Sequence, residues 1–120
     1  MNDIGIENIS LEMRRGVIVL AVLNLLQQEQ YGYSVLKLLS ENGLSVDQGT
    51  LYPLLRRMEN QGLLQSAWLV EEARPRRYYI ISTQGRKTLP LLQQEWNTIV
   101  TALQQISQVG SEQDGKNESN

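Results

Sequence analysis

The chain has 120 residues, enough for one domain with a modest hydrophobic core, and it contains neither cysteine nor histidine. The sequence therefore excludes disulfides, thiol chemistry and a histidine general base, and it argues against a zinc site. The formal net charge of −2 is unusual for a nucleic-acid-binding protein, but the charges are unevenly distributed. Residues 45–87 carry seven basic and four acidic side chains, whereas the segments on either side are net acidic. The middle third is thus the part best suited to a polyanion.

The beginning of the sequence lacks the pattern of an export signal. Residues 1–10 contain Asp3 and Glu7 and no early basic residue. The longest apolar run, Val17–Leu23, is much shorter than the roughly 20 residues that a membrane helix needs. We therefore expect a soluble, cytoplasmic protein that has no membrane partner.

Two helices are predicted in the first third of the chain. The first, at about Leu11–Gln27, is apolar on nearly all sides in its second half, so several of its faces should be buried. Asn8 or Ser10 is a candidate cap for its beginning. The second, at Tyr31–Asn42, ends at an Asn-Gly pair, which is typical of a helix stop.

The segment Leu44–Leu63 contains a third predicted helix with both ends marked. Apolar residues recur at i, i+3, i+4 and i+7 from Leu51, which indicates one buried stripe. Ser45 and Gln48 fit a capping box at the start, and Gly62 suits the left-handed residue that follows a helix. This helix and the one before it are joined by a tight, glycine-containing turn. That arrangement is the helix-turn-helix pattern.

The outer face of the third helix carries amide, hydroxyl and guanidinium groups. Such donors and acceptors are what base edges in the major groove require. We interpret this face as the groove-reading surface; an ordinary surface helix is the alternative. On the preceding helix, Tyr33 and Lys37 are placed to hold the DNA backbone. The candidate DNA-contacting residues on the third helix are Gln48, Thr50, Tyr52, Arg56 and Arg57.

A β-hairpin with a charged tip is predicted after the third helix. Residues 64–70 alternate with period two, and Tyr78–Ser82 is aromatic and β-branched. The segment Glu71–Arg77 between them carries arginines around a proline and cannot be buried. After a helix-turn-helix such a hairpin is a wing, whose arginines would contact phosphates or the minor groove; solvated surface charges are the alternative. The wing arginines are Arg74, Arg76 and Arg77.

A long helix is predicted from Ser82 and Thr83 to about Gln108. Its apolar residues follow the heptad spacing of a coiled coil, and it spans on the order of 35–40 Å, more than a small domain can cover. A second copy of the chain is the natural partner. Pro90 should kink this helix or mark a later start. The predicted dimerisation residues are Leu89, Leu92, Trp96, Ile99, Leu103 and Ile106.

Trp96 lies in the middle of the heptad stripe. Its simplest interpretation is a core residue of the dimer seam. The alternative is that two copies of Trp96 flank a slot in which a flat hydrophobic ligand stacks. The candidate ligand-binding residues are Met13, Val17, Trp96 and Ile99.

The predicted architecture is mainly α with a small β-hairpin, in the α+β class. It comprises a winged helix-turn-helix domain at residues 1–82, a C-terminal dimerisation helix at residues 83–108 and a disordered tail at residues 109–120. The sequence contains no glycine-rich phosphate loop, nucleophile elbow or metal-ligand cluster. We therefore expect no enzyme activity, no cofactor and no metal.

Four stretches together resemble the PadR family of transcriptional regulators: RRGVIVLAVLNLL, YGYSVLKLL, GTLYPLLRRMENQGLL and RRYYIISTQGRKTL. The resemblance covers about Leu11–Trp96. It implies a dimeric winged helix-turn-helix repressor that binds an inverted repeat in double-stranded DNA. It also implies that Gly49 and Pro53 lie on the recognition helix, and that the C-terminal helix packs on the first helix of the partner. The single C-terminal helix resembles the short branch of the family, which includes multidrug-sensing repressors with a tryptophan at the position of Trp96.

The leading hypothesis is therefore a homodimeric repressor released by a flat hydrophobic ligand at the dimer centre. Such a ligand would shift the spacing of two recognition helices, which must match successive major grooves roughly 34–36 Å apart. A second hypothesis is a winged-helix regulator without a small-molecule effector. A third is a winged-helix module for protein contacts that does not bind DNA.

Overall fold

In the computed structural model the described backbone covers residues 5–71 and 74–118, and the described side chains cover residues 5–70 and 75–112. These residues form helices packed with a small antiparallel sheet, which confirms the predicted α+β class. In chain order the elements are α1 (Ile6–Leu25), β1 (Gln30–Tyr31), α2 (Gly32–Glu41), α3 (Gln48–Asn60), β2 (Leu64–Glu71), β3 (Arg74–Ile81) and α4 (Thr83–Glu118). The strand order in the sheet is β1-β3-β2.

The hydrophobic core lies where α1, α2 and α3 meet the sheet, at the end of the hairpin where Leu64 pairs with Ile81. The stripe predicted on α3 is its centre, since Leu51, Leu55 and Met58 are fully buried. The second half of α1 is buried on several faces, as its composition indicates. The remaining core side chains are Ile18, Val22, Leu23, Leu26, Val35, Leu39, Leu54, Leu64, Tyr79 and Ile81.

The ends of α2 and α3 have the predicted glycine stops. After α3, Gly62 adopts a left-handed conformation with φ 84°. The Leu63 N–H donates to the Met58 carbonyl at 2.9 Å, and the Gly62 N–H donates to the Glu59 carbonyl at 2.9 Å. These two bonds form a Schellman motif, which fixes the direction in which the chain leaves α3 and enters β2. A second such motif at Gly43, with φ 86°, ends α2.

The predicted start of α3 is wrong in its detail. Ser45 does not form a capping box with Gln48; its hydroxyl donates to the Ser40 Oγ at 3.2 Å. The helix begins after Asp47, whose carbonyl accepts the Thr50 N–H at 3.1 Å and the Leu51 N–H at 3.0 Å. Asp47 is the N-cap by position, but its side chain makes no cap hydrogen bond to the backbone; its Oδ1 accepts the Thr50 hydroxyl instead.

The start of α1 also differs from the prediction. The helix begins at Ile6, before the predicted Leu11, and follows Gly5 in a left-handed conformation with φ 70°. Neither Asn8 nor Ser10 is its cap, because both lie within the first turns of the helix. The added turn carries Ile6 and Ile9, which are exposed in the single chain.

The wing, formed by β2 and β3, is longer than predicted. Its pairing runs from Leu64 opposite Ile81 to Glu71 opposite Arg74, so most of the segment predicted as a charged tip is strand. A strand can carry charged residues because the backbone ladder, and not burial of the side chains, pairs it with its neighbour.

Helix α4 starts at the predicted cap. The Gly85 N–H donates to Ser82 Oγ at 2.9 Å and the Arg86 N–H donates to the Ser82 carbonyl at 2.9 Å. Pro90 lies inside the helix, so the later start considered for it is wrong.

The far end of α4 differs from the prediction of a tail beyond Gln108. The helix continues to Glu118, because no further proline interrupts it and each added residue gains a hydrogen bond on a turn already formed. The chain separates into two compact units, Met1–Pro90 and Leu91–Asn120. Within the described part of the chain, no helix is both long and apolar enough to span a membrane.

Candidate nucleic-acid interface

The outer face of α3 is open to solvent, opposite the buried stripe. Tyr52 is half-buried on the flank of this face. Helix periodicity produces this division, because the leucines of the stripe anchor one side and leave the polar side free. The exposed residues on α3 that the sequence analysis selected are Gln48, Gly49, Thr50, Pro53, Arg56 and Arg57.

Thr50 and Asp47 form a polar pair at the N-terminus of α3. The Thr50 hydroxyl donates to the Asp47 Oδ1 at 2.7 Å. This hydrogen bond is the main reason that the pKa of the Asp47 carboxyl is lowered from its ordinary value. Because the Thr50 proton is engaged, its oxygen lone pairs are left to accept hydrogen bonds from a base edge.

Substituting Thr50 by alanine is expected to raise the pKa of Asp47 toward 3.8. A lowered carboxyl pKa contributes stability above the ordinary pKa, and this stability is lost as pH falls through the folded-state value. The Thr50→Ala variant should therefore lose less stability than the wild type as the pH falls below 3.8. An NMR titration of the Asp47 carboxyl measures the shift. Thr98→Ala is the control, since that hydroxyl bonds only a helix carbonyl; an unchanged Asp47 pKa in Thr50→Ala contradicts the assignment.

Tyr33 and Lys37 lie one turn apart on α2 and are both exposed. Residues four apart share a helix face, so a phosphodiester chain crossing that face meets both side chains. Tyr33 is 65% exposed although it is aromatic. This position suits the backbone-holding role predicted for the pair.

The predicted wing arginines differ in their surroundings. Arg76 is exposed, and its guanidinium carbon lies 5.3 Å from the centre of the Tyr31 ring, which itself stacks on Tyr78 at 4.7 Å. Arg77 is partly buried and forms an ion pair with Glu59 at 2.9 Å. The side chain of Arg74 lies outside the described residues. The two neighbours have different partners because adjacent strand residues point to opposite faces of a hairpin; that the wing arginines contact DNA stays a prediction.

An open cleft of about 620 Å³ is lined by residues of β1, α2, α3 and the wing. The lining includes Arg56 of α3 and both Arg76 and Arg77 of β3, together with aromatic side chains. Such a groove suits a chain that alternates negative charge with flat or apolar groups. Several lining residues were not predicted from the sequence: Tyr31, Gly32, Ser34, Trp68 and Tyr79. For Trp68 the period-two alternation of residues 64–70 was the available signal.

Tyr79 lines this cleft and also belongs to the core. The residue is 5% exposed, and burial raises the pKa of its phenol above the ordinary value. The neutral hydroxyl therefore persists over the whole physiological pH range. The cleft consequently owes its charge to its arginines.

The residues predicted for dimerisation and ligand binding are distributed over both compact units. In the first unit Met13 is 78% exposed and Val17 is partly buried. In the second unit Trp96 and Leu92 are partly buried. Ile99, Leu103 and Ile106 are exposed, with exposed fractions of 42, 57 and 65%. Leu89, which precedes Pro90, is partly buried. Within the described residues no group of acidic side chains is arranged to hold a metal ion.

Comparison with known proteins agrees with this geometry. Residues 19–90 match the model of the transcriptional regulator PadR-like family. The transcriptional regulator Rv3488 of Mycobacterium tuberculosis is 38% identical over 79 residues, which cover 65% of this chain and 74% of that protein.

Solved structures show the same fold. A PadR family transcriptional regulator from Eggerthella lenta superposes with a TM-score of 0.79 at 36% identity, covering 84% of this chain and 90% of the other. A PadR-like transcriptional regulator from Bacillus cereus gives a TM-score of 0.69 at 28% identity, covering 79 and 95% of the two chains. The family model spans more than half of the chain, and the α3 face and the wing both lie within it. This chain therefore belongs to the PadR-like family of winged-helix transcriptional regulators.

Proposed function

We propose that the chain acts as a homodimeric repressor whose two α3 helices read the half-sites of an inverted repeat. The observation that carries the proposal is a cleft whose lining includes Arg56 from the exposed polar face of α3 and Arg76 from the wing. With α3 in the major groove, the adjacent phosphodiester chain would run through this cleft. Arg56 and Arg76 would then neutralise its phosphates.

The dimer is supported by the apolar stripe on α4. Ile99, Leu103 and Ile106 expose large hydrophobic side chains along one side of a helix. Contiguous apolar surface of this kind marks an interaction site. A second copy of the same helix buries it by heptad packing and places two recognition helices on one DNA molecule.

Release by a flat hydrophobic ligand is the regulatory part of the proposal. Trp96 is partly buried in the middle of the stripe, where a two-fold axis would bring two indoles face to face. A ligand between them would favour one separation of the α4 helices. The DNA-binding units would then no longer match the groove spacing.

Selection of bound fragments from genomic DNA, followed by footprinting, tests the repressor proposal. The wild type should protect an inverted repeat, and Arg56→Ala should weaken binding to it by about 1.5–3 kcal/mol, the contribution of a hydrogen bond to a charged group such as a phosphate. Arg15→Ala is the control, since Arg15 lies on α1 in an exposed pair with Glu12. Repeating the selection with flat aromatic compounds tests the release step. Protection without two-fold symmetry, or equal effects of both substitutions, contradicts the proposal.

A further inference from the structure

Glu59 of α3, Ser66 of β2 and Arg77 of β3 form a closed hydrogen-bonded network. Ser66 Oγ donates to Glu59 Oε2 at 2.6 Å, and Arg77 Nε donates to Ser66 Oγ at 3.0 Å. Arg77 Nη2 donates to Glu59 Oε1 at 2.9 Å, which completes the ring. The network joins the last turn of α3 directly to both strands of the wing.

The network immobilises the Arg77 guanidinium. Its carbon lies 5.5 Å from the Trp68 ring centre and 5.6 Å from the Tyr79 ring centre, so aromatic side chains border the group that Glu59 and Ser66 hold by hydrogen bonds. The side chains of Arg77 and Glu59 are 32 and 26% exposed. Planar, multiply bonded arginine has a fixed orientation that a solvated surface arginine lacks.

The same contacts compensate the charge of Arg77. Its positive charge is paired with Glu59 within the protein, whereas Arg76 beside it carries an exposed charge with a cation–π contact to Tyr31. The slope of log K against log salt concentration reflects how many protein cations replace counterions on DNA phosphates. A cation already neutralised by a carboxylate contributes little to this slope.

We propose that Arg77 is a positioning residue, which locks the wing to the recognition helix through Glu59 and Ser66, while Arg76 supplies the phosphate-neutralising charge. This inference rests on the proposed DNA-binding function. Locking the wing fixes the distance between the side chains that read the major groove and those on the wing. The network therefore sets the preference for operator over other DNA, without contributing to the general affinity for a polyanion.

Substitutions at Ser66 test the lock without altering any charge. Ser66→Ala removes both hydrogen bonds that tie β2 into the network and leaves only the direct Glu59–Arg77 pair, whereas Ser66→Thr retains the hydroxyl on a residue that strands favour. We expect Ser66→Ala to lower the ratio of operator to nonspecific affinity about tenfold, with the nonspecific affinity unchanged. Ser66→Thr should restore the ratio. A loss of both affinities in parallel, or a Ser66→Thr variant no better than alanine, overturns the inference.

Salt titrations separate the two arginines. The doubly substituted Glu59→Gln, Arg77→Gln variant keeps the net charge and should retain the wild-type slope of log K against log salt concentration. Arg76→Ala should reduce the magnitude of that slope by about 0.9 for each protomer on DNA. If the double variant had the same reduced slope as Arg76→Ala, Arg77 would contact phosphate. This result would overturn the inference but not the proposed function. A wild type without salt-dependent DNA binding would overturn the proposed function as well. Thermal unfolding confirms that every variant compared is folded.

Discussion

A Leu103→Glu variant is expected to be monomeric and to bind the operator at least 100-fold more weakly than the wild type. Leu103 is 57% exposed in the single chain and lies in the heptad stripe of α4. In a dimer seam its replacement would bury a carboxylate against apolar side chains, which costs several kcal/mol. The loss in affinity follows because linking two binding units raises avidity by roughly 10²–10⁴.

Thr101→Glu provides the matched control for this experiment. Thr101 is exposed on the same helix but lies two residues from the stripe on either side, so its substitution adds the same charge off the seam. Sedimentation equilibrium measures the oligomeric state, and gel shifts with full and half operators measure binding. A Leu103→Glu protein that stays dimeric places the seam elsewhere. Weakening of half-operator binding would instead show damage to the DNA-binding unit.

The sequence predicts α3 well because the information is local. The apolar stripe from Leu51 to Met58 and the left-handed Gly62 are separated by a few residues, and each needs only the helix itself to act. The beginning of the same helix was harder to predict. Ser45 and Asp47 are both good caps, and the choice between them depends on how the turn after α2 is packed.

The different contacts of the wing arginines were not predictable in this way. Arg76 and Arg77 are adjacent in the chain, but only Arg77 reaches Glu59, which lies 18 residues earlier. That contact exists because the Schellman turn after α3 brings β2, and then β3, alongside the last turn of the helix. Nonlocal ion pairs leave no periodic pattern in the sequence.

Helix α4 shows a different limit. The heptad spacing predicts an apolar seam, and in the structure three residues of this seam are exposed to solvent: Ile99, Leu103 and Ile106. A pattern in one chain specifies the face that needs a partner. The identity and the orientation of that partner are properties of two molecules, so the dimer remains a prediction.

Gly85→Ala is expected to lower the free energy of unfolding by about 3 kcal/mol, at the upper end of overpacking effects. Gly85 lies in the first turn of α4, where an added Cβ would overlap the Leu63 carbonyl oxygen and lie 2.7 Å from Ile81 Cγ1. A backbone carbonyl cannot move aside as a flexible side chain does. The same corner holds Ser82, whose hydroxyl donates to the Gly62 carbonyl at 2.6 Å and accepts the Gly85 N–H.

Gly110→Ala on the same helix is the control. Among the described residues, no atom outside its chain neighbours and the helix's own backbone lies within 4 Å of the position of its Cβ, and alanine is the better helix former. It should leave stability unchanged or raise it slightly. Denaturant unfolding at equal protein concentration measures both variants, since the midpoint of a proposed dimer would depend on concentration. Because the corner at Gly85 joins the end of α3 to the start of α4, Gly85→Ala should also weaken operator binding under conditions where it remains folded. Equal stability of the two variants would show that the Leu63 carbonyl yields, and that the corner is not a rigid connection between the recognition helix and α4.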